Sequence, residues 1–263
     1  EHKTTLGCVD VVTENLNELR SGDIYSHMYC NNETGNIFDV KKIAADCHRR
    51  GIIFHTDAAQ FFGKSENPID DFEGIDFITI SLHKIYGPIG VGLLIIPSDY
   101  YLKPQIIGVQ NDGLRGGTEN VPAIVGSIYA IKNTLDNRHQ KNQKLKYLCD
   151  QFKKILLKYR DEMKMDEFIG RGEIEALKKC TGGCKNKIIF LSENSINTVL
   201  VSFVNNANNL TKGDRFCNIK FREELTKLGI QVSIGSACNT GVQGPSHVLL
   251  AMKLPFIIRC GVI

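Results

Sequence analysis

The sequence predicts an α/β fold, a mostly parallel sheet flanked by helices, with a smaller α+β domain toward the C-terminal end. Three observations carry this expectation. Four short apolar runs rich in β-branched residues lie within the first hundred positions. The first two are separated by a stripe of helical period, so strand, helix and strand follow one another over short links, as parallel pairing requires. At 263 residues and 42% hydrophobic, the chain can bury a sizeable core in one large domain or two.

The strand-like runs are "DIYSHMY" (23–29), "GIIFHTD" (51–57), "DFITISL" (76–82) and "VGLLII" (91–96). Between the first two, Val40, Ile43, Ala44 and Cys47 fall at i, i+3, i+4, i+7, one face of a helix. Residues 119–136 read as helical, with Val121, Ile124, Val125 and Ile128 as an apolar stripe. A second stripe follows in Leu145, Leu148, Cys149, Phe152, Ile155, Leu156 and Tyr159, with lysines on the solvated face opposite. This helical stretch leads into the smaller domain, giving boundaries of 1–136 for a large, incomplete domain and 137–263 for a small one. In the latter, "SINTVLVSFV" (195–204) and "IQVSIG" (230–235) read as strands, 217–228 as a helix and "NNANNLTKGD" (205–214) as a polar loop.

Bulk properties narrow the function classes. A net charge of +3 without a dominant basic block gives no argument for nucleic acid. No apolar run approaches a membrane span, and "EHKTTLGCVD" does not read as a signal peptide. Nine irregularly spaced cysteines argue against a secreted disulfide framework and for a reducing intracellular compartment, the cytoplasm. "CTGGC" (180–184) offers two thiols to a metal, yet no second ligand pair lies at suitable spacing, so it reads as a surface turn with no metal.

Chemistry concentrates in "HTDAAQ" (55–60), "SLHK" (81–84), "RGGTEN" (115–120) and "SIGSACNTG" (233–241). Each has a plain explanation alone. Asp57 suits a helix cap, His83 a satisfied histidine, Lys84 a solvated strand end and Cys238 a packed thiol. In combination they suit pyridoxal phosphate. Functional residues of parallel sheets gather beyond the carboxyl ends of the strands, and Asp57 and Lys84 both stand at such ends. A lysine can hold the aldehyde as a Schiff base while a carboxylate pairs with the protonated pyridine nitrogen. Ser81, His83 and a Gly-Thr turn would supply donors to the phosphate.

These stretches, with "EHK" (1–3), "NNETG" (31–35), "SLHKIYGP" (81–88), "RGGTENVPAIVG" (115–126) and "GSAC" (235–238), resemble the NifS-type cysteine desulfurases of the class V aminotransferase group, pyridoxal-phosphate fold type I. The resemblance implies Lys84 as the Schiff-base lysine, Asp57 as the pyridinium partner, Gln60 on the phenolic oxygen and Ala59 under the ring. It implies His2 stacked on the other ring face and moving protons, and Asn32 near the phenolic oxygen and the substrate carboxylate. Ser81 and His83 would hold the phosphate, and Thr118 would reach the phosphate of a neighbouring subunit, implying a homodimer. Cys238 would take sulfur from free L-cysteine, leaving alanine and a persulfide bound for an acceptor such as an iron-sulfur scaffold protein. A thiolate is needed for that attack.

The chain departs from the family's pattern in four places. A Gly-Thr phosphate loop is expected before "EHK". A substrate-clamping arginine is expected just after Ile263, Arg259 being out of register. The segment near Leu6–Gly7 is short by about a strand, and "IIGVQND" (106–112) replaces a glycine run. The expectation is a longer parent polypeptide. Two alternatives remain at this point: selenocysteine lyase, suggested by "GPSHVLLAMKLPF" (244–256), and a catalytically inactive sulfur-transfer scaffold.

Overall fold

Alternation along two short strands sets the architecture of the first half. In β2 (Ile53–Asp57), Phe54 and Thr56 are fully buried on one face, while His55 and Asp57 are half-buried on the other. In β3 (Phe77–Ser81), Ile78 and Ile80 share the buried face. The structure, a computed structural model, describes residues 2–64, 66, 68–162, 166–169, 187–204, 218–234, 246–254, 258–259 and 262–263. The stretches 180–184, 205–214 and 235–245, which include "CTGGC", the polar loop and Cys238, lie outside the described residues.

The chain divides into two compact units, one of Glu1–Cys30 with Ile37–Lys141 and one of Asn31–Asn36 with Asn142–Ile263. In the first unit, β1 (Ile24–Ser26), β2, β3 and β4 (Gly92–Ile95) form one sheet in that order. The pairings β1–β2 and β2–β3 are parallel, and β4 runs antiparallel to β3. Ahead of the sheet lies a single helical turn, α1 (Lys3–Leu6).

The crossover helix α2 (Val40–His48) starts where the Asp39 side chain accepts from the Lys42 N–H. It buries Val40, Ala44 and Cys47 against Ile52, Phe54, Ile78 and Ile80. Each such large side chain contributes about 1.5–3 kcal/mol on burial. Past it, Gly51 takes a positive φ to turn the chain into β2. A short helix, α3 (Pro68–Phe72), links β2 to β3. Thr56, at 0% exposure, donates its hydroxyl to the His27 carbonyl at 2.9 Å.

The two apolar stripes expected in 119–159 belong to one uninterrupted helix, α4 (Val121–Glu162). Its packing differs from the apolar reading. Within the first unit the helix buries small residues at Ala123, Ser127, Ala130 and Thr134, while Val121, Ile124, Val125 and Ile128 stay 39–58% exposed. Close approach explains the choice. Gly63, at φ +84°, lies so near that a Cβ there would sit 2.4 Å from Thr134 Cγ2.

In the second unit, β5 (Asp166–Ile169) pairs parallel with β6 (Lys187–Phe190), and β7 (Val201–Val204) pairs antiparallel with β6. Both faces of β6 are covered. Ile189 packs with Leu191, Leu200, Leu249 and Ile258, whereas Ile188 and Phe190 pack with Val201, Leu156 and Leu157. Helices α5 (Asn218–Lys227) and α6 (His247–Ala251) complete the unit's described elements. Segment 31–36 is tied in by Ser192 Oγ donating to the Thr34 carbonyl at 2.6 Å and by Glu193 N donating to Asn36 Oδ1 at 2.8 Å.

Two sequence expectations are corrected here. The strand expected at 230–235 is absent among the described residues of that stretch, 230–234. Gly229 closes α5 at φ +77° with Ile230 N bonded back to Leu225 O, and the chain then alternates in burial but meets no strand partner. Alternation without a ladder is not a strand. The strand expected over 195–204 begins only at Val201, because Ser195 and Ser192 engage the preceding backbone instead.

The inverted packing of α4 gives a direct check. Ala130→Leu should overpack the buried side of the helix and destabilise by about 1–3 kcal/mol, whereas Ile128→Ser should leave the dissociated single chain within about 0.5 kcal/mol. Urea unfolding midpoints at constant slope measure both.

Candidate active site

The carboxyl rim of the first sheet gathers Asp57, Ser81, His83 and Lys84. Asp57 ends β2 and is the register partner of Thr79 on β3, so both side chains share one sheet face. Backbone bonds clamp Asp57 from both sides: Tyr29 N donates to the Asp57 carbonyl and Ala58 N to the Thr79 carbonyl, each at 2.9 Å. Asp57 Oδ1 accepts the Ala59 N–H at 2.9 Å, opening the run of turns through Gln60 to Lys64. The helix cap conceivable from sequence is instead a side-chain turn, since turns and not a helix follow Asp57, and it uses one oxygen. Oδ2 remains for another donor.

Two residues beyond Thr79 on the same face, Ser81 ends β3 and its hydroxyl meets His83 Nδ1 at 3.0 Å. A single 3-10 turn, Leu82–Ile85, follows and sets Lys84. In a 3-10 turn residues i and i+3 eclipse, so Leu82 and Ile85 both bury while His83 and Lys84 are exposed. Tyr86 in the left-handed region, at φ 69°, closes the turn with its N–H on the Leu82 carbonyl. Asp57 and Lys84 thus stand at the carboxyl ends of neighbouring parallel strands, on one rim.

Two residues passed over in the sequence stand in this site. His55, half-buried on the same face as Asp57, spans three strands: Nδ1 lies 2.8 Å from Ser26 Oγ on β1 and Nε2 2.8 Å from Thr79 Oγ1 on β3. Burial lowers its pKa, the Asp57 charge opposing weakly, so the ring is neutral at pH 7. Its signal was its place in "HTDAAQ", two residues from Asp57 in a period-two pattern. Lys64 is the second. Its Nζ donates to Gln60 Oε1 at 3.5 Å, burial lowers its pKa, and the Lys84 charge lowers it further while the Cys30 thiol opposes. The i+4 offset from Gln60 was its only mark.

The remaining expected residues are scattered in what they share. Ala59 and Gln60 are half-buried in the Asp57 turn. Thr118 is exposed at the end of a loop held by Asn111 N on Glu119 Oε1 at 3.0 Å and Gly117 N on Gln110 Oε1 at 3.1 Å. This is the "IIGVQND" substitution at work, since Gln110 and Asn111 supply the contacts. Half-buried His2 precedes α1, its carbonyl accepting from Leu6 N. Asn32 belongs to the second unit, in a turn organised by Asn31 Oδ1, which accepts the Glu33 and Thr34 N–H groups at 2.9 Å.

A profile of the aminotransferase class-V family matches residues 9–166. The chain belongs to that family. Its members use pyridoxal phosphate, and the donor set on this rim suits that group: an amine for the aldehyde, a free carboxylate oxygen for the ring nitrogen, and a hydroxyl–imidazole pair for the phosphate. The chain is 35% identical over 241 residues to a cysteine desulfurase of Gluconacetobacter diazotrophicus, matching 91% of this chain and 52% of that protein. It is 33% identical over 233 residues to the cysteine desulfurase IscS of Clostridium botulinum, matching 88% and 51%. Among solved structures, a NifS-like protein from Rickettsia africae superposes with a TM-score of 0.66 at 27% identity, covering 91% of this chain and 54% of that one. Another NifS-like protein gives 0.65 at 25% identity over 94% and 56%. The class V chain described here spans about half the length of the curated relatives it matches. Among its described residues no helix is long and apolar enough to cross a membrane.

The described cysteines divide by environment. Cys47 is fully buried, and burial with the nearby Asp46 and Asp76 charges pushes its thiol to about 11. Cys30 is 3% exposed and raised by burial, the Lys64 charge opposing; Cys8 is exposed. At pH 8 about one Cys47 thiol in a thousand is ionised. Alkylation of the native protein followed by peptide mass spectrometry should label Cys8 and spare Cys30 and Cys47, which react only after unfolding.

Proposed function

We propose that this chain is the cofactor-bearing part of a pyridoxal-phosphate-dependent cysteine desulfurase, which takes sulfur from L-cysteine onto Cys238 and releases L-alanine. The observation carrying this reading is the placement of Asp57 and Lys84 at adjacent parallel strand ends on one rim. Relatives named cysteine desulfurase favour sulfur over selenium chemistry.

In this reading Lys84 would hold the aldehyde through its amine, Asp57 Oδ2 would pair with the protonated ring nitrogen, and Ser81 with His83 would receive the phosphate. Gln60 would hydrogen-bond the phenolic oxygen, and Ala59 and His2 would support the ring. Asn32 would serve the phenolic oxygen and the substrate carboxylate. When bound, the cofactor supplies an electron sink for the pair left by the substrate's α-proton. With the cofactor bound, the Lys84 amine would be placed to take that proton, with His2 assisting. The Cys238 thiolate would attack the substrate sulfur; the carbon–sulfur bond breaks with its electron pair staying on the β-carbon, one proton completes the methyl group there, and the proton taken from the α-carbon is returned to it to give alanine. The new S–S bond leaves the sulfur as a persulfide on Cys238, for delivery to an acceptor such as an iron-sulfur scaffold. A reducing compartment preserves such a thiol.

The working form is a homodimer. Thr118 is exposed at a braced loop, and Val121, Ile124, Val125 and Ile128 follow it as an exposed apolar stripe that a second copy would cover.

Incubation with L-cysteine should add 32 Da, the mass of one sulfur, to the peptide bearing Cys238. Lys84→Ala should abolish the gain. An undiminished persulfide in that variant would remove the cofactor from the reaction.

A further inference from the structure

Asp57 and Thr79 are register partners on the same sheet face, which puts a hydroxyl directly beside the carboxylate. Left alone, a threonine hydroxyl in that position donates to the neighbouring carboxylate, a charge-assisted bond stronger than one to a neutral acceptor. It does not do so here. The Thr79 hydroxyl is held 2.8 Å from His55 Nε2, and the other ring nitrogen is held 2.8 Å from Ser26 Oγ. A bridge of three side chains on three strands therefore crosses the sheet one pleat below Asp57, which accepts instead from Ala59 N through Oδ1.

We propose that His55 is a positioning residue for Asp57: by engaging the Thr79 hydroxyl it keeps that donor off the carboxylate, so that Oδ2 stays available to the cofactor's ring nitrogen. The inference rests on the proposed function, since it concerns how the same carboxylate is kept ready. The imidazole suits the task chemically. In the neutral tautomer this role requires, Nδ1–H donates to the Ser26 hydroxyl and Nε2 accepts from the Thr79 hydroxyl, which uses the one proton Thr79 could give the carboxylate. A cation at position 55 would instead compete with the ring nitrogen for the Asp57 charge. Ser26 anchors the far side of the ring, so the imidazole cannot swing away from Thr79 without giving up a second hydrogen bond.

This role has a signature that a merely structural one lacks, because removing a second polar group should repair the damage of removing the first. The apparent Kd of the chain for pyridoxal phosphate is measured by titrating the near-visible absorbance of the bound form. His55→Ala should weaken binding roughly tenfold, the equivalent of one lost hydrogen bond to a charged group. His55→Ala combined with Thr79→Val should recover to within about threefold of wild type, and His55→Gln, which still reaches the hydroxyl, should stay close to wild type. Binding by His55→Ala equal to wild type, or a double variant weaker than the single, overturns the inference. A wild-type chain that develops no near-visible band overturns the proposed function itself, so the two failures are told apart. If His55→Ala loses cooperative urea unfolding, His55→Asn with and without Thr79→Val makes the same comparison, the shorter amide being unable to span both hydroxyls.

Discussion

The parallel pairing of β2 with β3 is the constraint on which the rest of this structure depends. Its register sets Asp57 opposite Thr79, and the strand direction brings both chain exits to one rim. Every group argued to act there follows from that ladder. Slip β2 by one residue against β3 and His55 and Asp57 would turn toward α2, while Phe54 would leave the core face. Core burial on one face thus pins the polar face on the other. Packing and chemistry are two sides of the same two strands.

Rigid supports surround the rim. The Asp57 turn is held by backbone bonds from both neighbouring strands and by the stacked Tyr29 and Phe61 rings, 3.7 Å apart at their centroids. Lys84 rides on a turn nailed down at Leu82 and Ile85. Gly63 lets the Asp57 turn reach Thr134 of α4, and Gly126 gives Pro88, just past the Lys84 turn, similar access to that helix. The groups proposed to bind the cofactor, placed on such supports, would lose little further entropy on binding. Lys64, with its amine beside Gln60 and its charge felt alongside that of Lys84, adds a second cation to the rim that no motif announced.

Much of this was legible from the sequence, and the boundaries of legibility are physical. Strands β2 and β3 and helix α2 were readable because each has a buried face with a period of its own, and β4 as a short continuous apolar run, although its residues stay exposed. The rim was readable because an acid and a lysine stand together at the ends of two strands that the alternation makes parallel neighbours. His55 and Lys64 escaped notice because their importance comes from lateral neighbours, which one-dimensional spacing does not encode. The face that α4 buries was read wrongly for a related reason: periodicity identifies an apolar stripe but not whether small residues let the other side approach more closely. Strands β5 and β6 were missed as runs too short to separate from loop, and 230–234 was over-read because alternation cannot supply a partner. The family resemblance carried the roles of His2, Asn32 and Thr118, which the residues themselves did not specify.

The central claim is that Lys84, and not its neighbour Lys64, is the amine that takes the aldehyde. Borohydride reduction of the chain loaded with pyridoxal phosphate, followed by peptide mapping, reads this at residue level. One reduced adduct is expected, on the peptide containing Lys84, lost when Asp57 is replaced by alanine at limiting cofactor. An adduct on Lys64, or adducts scattered over surface lysines, would contradict it.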